Sequence, residues 1–162
     1  MKHTKTRVDA VMTRTVATVL ATDSLAHAVK RMRRLSCGSC VVMDEGLRPI
    51  AVVTDRDICL HAEWTNRPLS DLAVQAAMSK RVFVCRASDT ARAALEQMEL
   101  HQVRRLPVVG DDGRLCGVVA LDDLARLAHE QQGWIGAAVA SSEIGRALGS
   151  VVRPHWTDEI YE

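Results

Sequence analysis

Two cysteines, in the order Cys37-Gly38-Ser39-Cys40, are the first residues whose types and spacing suggest chemistry. A Cys-x-x-Cys pair suits dithiol redox work or half of a zinc site. A redox pair needs its leading thiol at the start of a helix, where the dipole favours the thiolate. Here the pair instead precedes a strand-like run, Cys40 to Met43. Zinc needs four ligands at recurring spacings, and Cys59 and His61 follow at no matching interval. The expected role of the pair is structural. The six histidines, His27, His101 and His129 among them, form no triad-like grouping with Ser and Asp. No Gly-x-x-x-x-Gly-Lys phosphate loop occurs either, so no residue is assigned a catalytic role.

Charge and composition narrow the partners. The net charge of +1 offers no global field for nucleic acid or an anionic membrane, and 3% aromatics supply few stacking platforms. No apolar run approaches the roughly 20 residues that span a bilayer. The polar start, Met1 to Lys5, leads into no signal-like apolar core. Five cysteines, an odd number mostly in apolar stretches, are expected to be buried thiols of a cytoplasmic protein. One charge run stands out: Lys30, Arg31, Arg33 and Arg34.

The elements that must position these residues occur twice. An offset of 66 lays Met12 on Met78, Asp23 on Asp89, Met32 on Met98, Val52 on Val118 and Asp57 on Asp123, in one register without a gap. An internal duplication follows. In each copy a short strand (Val16 to Leu20; Val82 to Cys85) leads to a helix-capping cluster, Thr22-Asp23-Ser24 or Ser88-Asp89-Thr90. Leu25, Ala28, Val29, Met32 and Leu35 then recur at helical spacing, as do Ala91, Ala94, Leu95 and Met98. Two strands joined by hairpin turns follow (Cys40 to Met43 with Ile50 to Val53; Leu106 to Val109 with Leu115 to Val119), and a closing helix starts near Asp55 or Leu121. The expected fold is mixed α/β: two repeats of strand-helix-strand-strand-helix, at residues 8–65 and 74–130, sheets face to face with pseudo-two-fold symmetry. Residues 131–162 are expected to form a C-terminal helical or irregular tail, with Ala137, Ala140, Ile144, Leu148 and Val151 on one face, docked on the core or on a partner.

These residues resemble a known family. Met12-Thr13, Asp23-Ser24-Leu25, Gly38-Ser39-Cys40-Val41-Val42 and Ala51-Val52-Val53-Thr54-Asp55-Arg56-Asp57 are similar to a cystathionine β-synthase (CBS) domain. Met78-Ser79, Asp89-Thr90, Arg105-Leu106-Pro107-Val108-Val109 and Gly117-Val118-Val119-Ala120-Leu121-Asp122-Asp123 resemble a second. The likeness runs from about Val8 to Arg126 and is that of a stand-alone tandem pair.

The resemblance implies two clefts for adenosine-containing ligands and dimerisation through the outer helices. It implies that Thr54 donates to a phosphate and that Asp57 accepts from ribose hydroxyls, with free amides of the new helix helping the phosphate. Lys80, Arg81, Val82, Arg105 and Pro107 would complete that site from the other repeat. The second site would use Asp123 with Thr13, Val16, Gly38, Ser39 and Cys40. It lacks the hydroxyl, since Ala120 stands at Thr54's place, and is expected to be weaker. The ligand is an adenine nucleotide (AMP, ADP or ATP) or an S-adenosylmethionine- or NAD-like molecule; no cofactor is required and no metal is expected.

The first functional reading is a cytoplasmic homodimeric sensor acting on an unknown protein. Opposite charges on the two repeats' helices, Lys30 to Arg34 against Glu96 to Leu100, would favour first repeat against second across the dimer. The alternative is a ligand-free dimeric scaffold, with Asp57 and Asp123 simply capping helices. An enzyme using the thiol pair is a third.

Overall fold

The structure, a computed structural model, describes residues 6–131 and 138–151. In the first repeat β1 (Thr18–Leu20) leads through α1 (Leu25–Arg34) to β2 (Ser39–Met43), β3 (Pro49–Thr54) and α2 (Asp55–Thr65). β1 pairs parallel with β2, and β2 pairs antiparallel with β3. A parallel pair needs a crossover, which α1 supplies. α1 starts where the Ser24 side chain accepts from the His27 amide at 3.1 Å. Its Leu25, Ala28 and Met32 pack with Val19, Val42, Val53 and Ile58 in one buried core. The second repeat follows the same plan: β4 (Cys85–Arg86), α3 (Ala91–His101), β5 (Arg105–Val109), β6 (Leu115–Ala120) and α4 (Leu121–Glu130), with sheet order β4-β5-β6.

The duplication extends to backbone strain. Ser36 and Gln102, 66 apart, both end a helix in the left-handed region, at φ 50° and 54°. In the hairpin turns the equivalent pair is Leu47 and Gly113, at φ 62° and 77°. The first turn thus puts an ordinary residue where the second has glycine; Asp44, whose Oδ1 accepts from the Arg48 amide at 2.8 Å, holds it there.

Each repeat lends its leading segment to the other. The Val8 amide donates to the Asp89 carbonyl and the Ala91 amide to the Thr6 carbonyl, both at 2.8 Å. In the equivalent places Val74 donates to Asp23 and Leu25 to Leu72, again at 2.8 Å. Further along, Thr13 exchanges two backbone bonds with Val118, and the Ser79 amide donates to the Val52 carbonyl at 2.8 Å. The compact units therefore do not coincide with the repeats. One is Thr13–Ala87 with Pro107–Val118; the other takes the residues up to Met12, Ser88–Leu106 and those from Val119 on.

Several expectations shift. The strand expected at Val16 to Leu20 begins only at Thr18, and the one at Val82 to Cys85 is reduced to Cys85–Arg86. α2 continues to Thr65 and ends on left-handed Asn66. Of the five thiols, Cys40 and Cys85 are buried but Cys37 and Cys59 are exposed.

In the tail, α5 (Ser141–Val151) packs on α3 and α4, and Val139 and Ala147 are fully buried. Its rotation differs from expectation, with Leu148 49% exposed. Two ion pairs to α3 set that rotation: Glu143 with Arg92, and Arg146 Nε with Glu99 Oε1 at 3.2 Å. The expected stretch from Gly133 to Ala137 lies outside the described residues. No helix among the described residues is long and apolar enough to cross a membrane.

Candidate functional site

β3 delivers Thr54 to the first position before α2, and the helix begins there because Thr54 and Asp57 cap it reciprocally. The Asp57 amide donates to Thr54 Oγ1 at 3.2 Å, while Asp57 Oδ2 accepts from the Thr54 amide at 3.0 Å. Thr54 Oγ1 also donates to the same carboxylate oxygen at 2.7 Å. This is a capping box, with two helix-end donors satisfied at once. Asp57 Oδ1 takes no hydrogen bond among the described residues, so one carboxylate oxygen stays open to an incoming hydroxyl. Asp55 adds a second carboxylate to the first turn, its Oδ1 accepting from the Arg56 amide at 2.8 Å.

The second repeat builds half of this. Ala120 brings no side-chain oxygen, and its amide donates to Asp123 Oδ2 at 2.9 Å. Asp123 Oδ1 is taken by Arg126 Nη2 at 2.8 Å. Both carboxylate oxygens are engaged, whereas Leu60 stands at the first-repeat equivalent of Arg126. Asp57 therefore keeps one oxygen without a partner among the described residues, whereas each Asp123 oxygen has one.

Around Thr54 the neighbours differ from those expected. Ser39 pairs directly with Thr54 across β2 and β3, and the Asp55 amide donates to the Gly38 carbonyl at 3.0 Å. Gly38 and Ser39, assigned by sequence to the Asp123 site, thus lie beside Thr54. A Cβ at Gly38 would come within 2.9 Å of Asp55 Oδ2, so a larger residue there would push that exposed carboxylate aside. In the second repeat, likewise, the Arg104 carbonyl accepts from the Leu121 amide at 2.9 Å, beside Ala120. The physical reason is the hairpin register, which couples the start of each repeat's middle strand to the end of its own last strand.

The leading segment of the second repeat reaches β3. Ser79 Oγ accepts from the Val52 amide at 3.1 Å and donates to the Arg81 carbonyl at 2.8 Å. Lys80 and Arg81 then follow as exposed cations and Val82 is half-buried. Pro107 is buried in β5 and Arg105 half-buried. Of the Asp123 set, Thr13 is exposed on its Val118 pairing and Val16 is half-buried.

Cys40 cannot offer its side chain to a ligand. It is fully buried, and its thiol donates to the Ala28 carbonyl at 3.6 Å. Burial, then the neighbouring Cys37, pushes its pKa up to about 12, with Arg31 opposing. Held protonated, Cys40 is itself no nucleophile. Among the described residues no group of three His, Cys, Asp or Glu is placed to hold a metal. Sequence patterns did not single out Arg126 or Asp55; the Asp123–Arg126 i,i+3 spacing carried the only signal for the former.

Known proteins share this fold. YhcV, a CBS domain-containing protein of Bacillus subtilis, is 33% identical over 124 residues, covering 75% of this chain and 86% of that protein. The CBS domain protein PAE2072 from Pyrobaculum aerophilum, solved complexed with AMP, superposes with a TM-score of 0.65 at 24% identity, over 72% of this chain and 88% of that one. The CBS domain pair of protein MJ0100, solved with 5'-methylthioadenosine and S-adenosyl-L-methionine, gives a TM-score of 0.69 at 20% identity, over 78% and 98%. Residues 8–62 and 70–130 each match the CBS domain family, and the chain belongs to that family as a tandem pair of its repeats.

Proposed function

We propose that this chain is a regulatory module that binds an adenosine-containing ligand at the Thr54–Asp57 end of α2. The observation that carries the reading is the free Asp57 Oδ1 beside the Thr54 hydroxyl, on the strand to which Ser79, the residue before Lys80 and Arg81, bonds at Val52. A ribose hydroxyl donates to the open oxygen, and Thr54 Oγ1 turns from Asp57 to a phosphate. Asp55 and Asp57 oppose a high phosphate charge at this helix end, which favours AMP or an S-adenosyl compound over ATP. AMP bound to PAE2072 and S-adenosyl-L-methionine bound to the MJ0100 pair support the ligand class. The Asp123 site is the weaker, through Ala120 and the Arg126 clamp. The module acts without catalysis, as a homodimer in the reducing cytoplasm, on a protein partner whose affinity changes with ligand.

One observation favours the scaffold reading instead: the capping box already satisfies Thr54 and most of Asp57 without ligand. A thermal-shift panel of AMP, ADP, ATP, S-adenosylmethionine and NAD separates the two. Stabilisation should grow with ligand concentration and fall in Asp57→Asn, which keeps a capping oxygen, more than in Asp123→Asn. No shift with any of the five establishes the scaffold.

A further inference from the structure

The first repeat carries two thiols that its copy lacks. At the 66 offset Cys37 and Cys59 correspond to Val103 and Ala125. Both are exposed, unlike Cys40 and Cys85. Both also line one cleft of about 370 Å³ between α1 and α2, whose apolar walls include Val29, Met32, Ile58 and Leu69.

The backbone explains how two residues so far apart in sequence reach one cleft. After α1 the chain reverses at Ser36, in the left-handed region at φ 50°. The Cys37 amide then donates back to the Met32 carbonyl at 3.0 Å, and the next carbonyl, that of Gly38, accepts from the Asp55 amide at 3.0 Å. That bond pins the loop to the first turn of α2. Asp55 and Cys59 stand at i and i+4, on one face of the helix, and both border the cleft. Cys37 thus belongs to one wall and Cys59 to the other.

Sequence spacing alone would pair Cys37 with Cys40, and the structure argues against that pair. Cys40 is fully buried in the first repeat's core, and its thiol donates to the Ala28 carbonyl at 3.6 Å. Cys37 donates to the Ser39 carbonyl at 3.4 Å from an exposed loop. Burial pushes the Cys40 pKa up to about 12, whereas disulfide formation runs through a thiolate. Joining Cys37 to Cys40 would pull a packed side chain out of the core. Joining Cys37 to Cys59 only closes an open cleft, to the Cα separation of about 4.4–6.8 Å that a disulfide allows.

We propose that Cys37 and Cys59 form a reversible disulfide across this cleft in response to a hydroperoxide, a modification site confined to the first repeat. One thiolate attacks the peroxide: an S–O bond forms, the O–O bond breaks, and the departing oxygen takes a proton to leave as water or an alcohol. The second thiol attacks the resulting sulfenic sulfur, so that an S–S bond forms, the S–O bond breaks and water leaves. The two electrons lost by the sulfurs reduce the peroxide, and a dithiol reductant restores both thiols by exchange. The bridge ties the first turns of α2 to the loop after α1. It stands apart from the ligand reading, since neither thiol belongs to the Thr54–Asp57 pair.

The full chain is treated with hydrogen peroxide, its remaining thiols are alkylated, and its disulfides are mapped by mass spectrometry without reduction. The main product should be an intramolecular Cys37–Cys59 bridge, fully reversed by dithiothreitol. Cys59→Ala should abolish the bridge and leave Cys37 as a sulfenic acid trapped by dimedone. Cys40→Ala, checked for an intact fold by circular dichroism, should leave the yield of the bridge unchanged. A Cys37–Cys40 bridge as the main product, crosslinks only between chains, or separate oxidation of the two thiols without a bridge would each overturn the proposal.

Discussion

On the proposed reading, Thr54 and Asp57 do two jobs with the same atoms. Their mutual hydrogen bonds start α2, and those groups are the ones a nucleoside would recruit. Thr54→Ala should therefore cost about 1 kcal/mol of stability in urea denaturation, with Thr54→Ser close to wild type. Cys40 gives a second expectation. The unfolded thiol ionises near its ordinary 9.0, while the folded one holds its proton to about 12. Within that window only the unfolded chain loses the proton, so stability is intact below about pH 9 and falls as pH rises through it. Cys40→Ala should remove that part of the alkaline decline in urea midpoints. The Thr54/Asp57 spacing was legible in the sequence, as was the missing hydroxyl at Ala120. The clamp of Arg126 on Asp123 was not, because it depends on where a long side chain settles.

Among the elements, the helices were the most legible. Caps at Ser24 and Thr90 and the 3.6-residue apolar stripes place α1 and α3 to within a residue or so. β1 and β4 were placed too long, since ladder partners decide a strand's length and nearby residues bond elsewhere. α5 shows the same dependence: its apolar face was recognisable, but ion pairs with α3 chose which residue points inward. Ala147→Glu should cost about 3 kcal/mol by burying an unpaired charge beneath α5. Leu148→Glu, one residue on and 49% exposed, should stay within about 0.5 kcal/mol of wild type in the same denaturant melt.

At the scale of the whole molecule, the repeat was plain from one offset, while the exchange of leading segments was not. Nothing local marks Leu72, Val74 and Ser79 as partners of the first repeat; the bonds to Leu25, Asp23 and Val52 do. A fragment of residues 1–70 lacks those partners and should show little cooperative unfolding by circular dichroism. The same exchange brings Ser79 to Val52 on β3 and Thr13 to Val118 on β6, so on the proposed reading any inequality of the two adenosine sites comes from the substitutions between the copies. The two repeats differ there by Thr54 against Ala120 and by a free against a clamped carboxylate. A lost hydrogen bond to a charged group is worth about 1.5–3 kcal/mol, or roughly tenfold to a hundredfold in affinity. Isothermal titration calorimetry with AMP and with S-adenosylmethionine tests this most directly. One ligand per chain should bind at a tight site that weakens at least about tenfold in Asp57→Asn and is unchanged in Asp123→Asn; no measurable heat with either compound, or equal losses in the two variants, would contradict it.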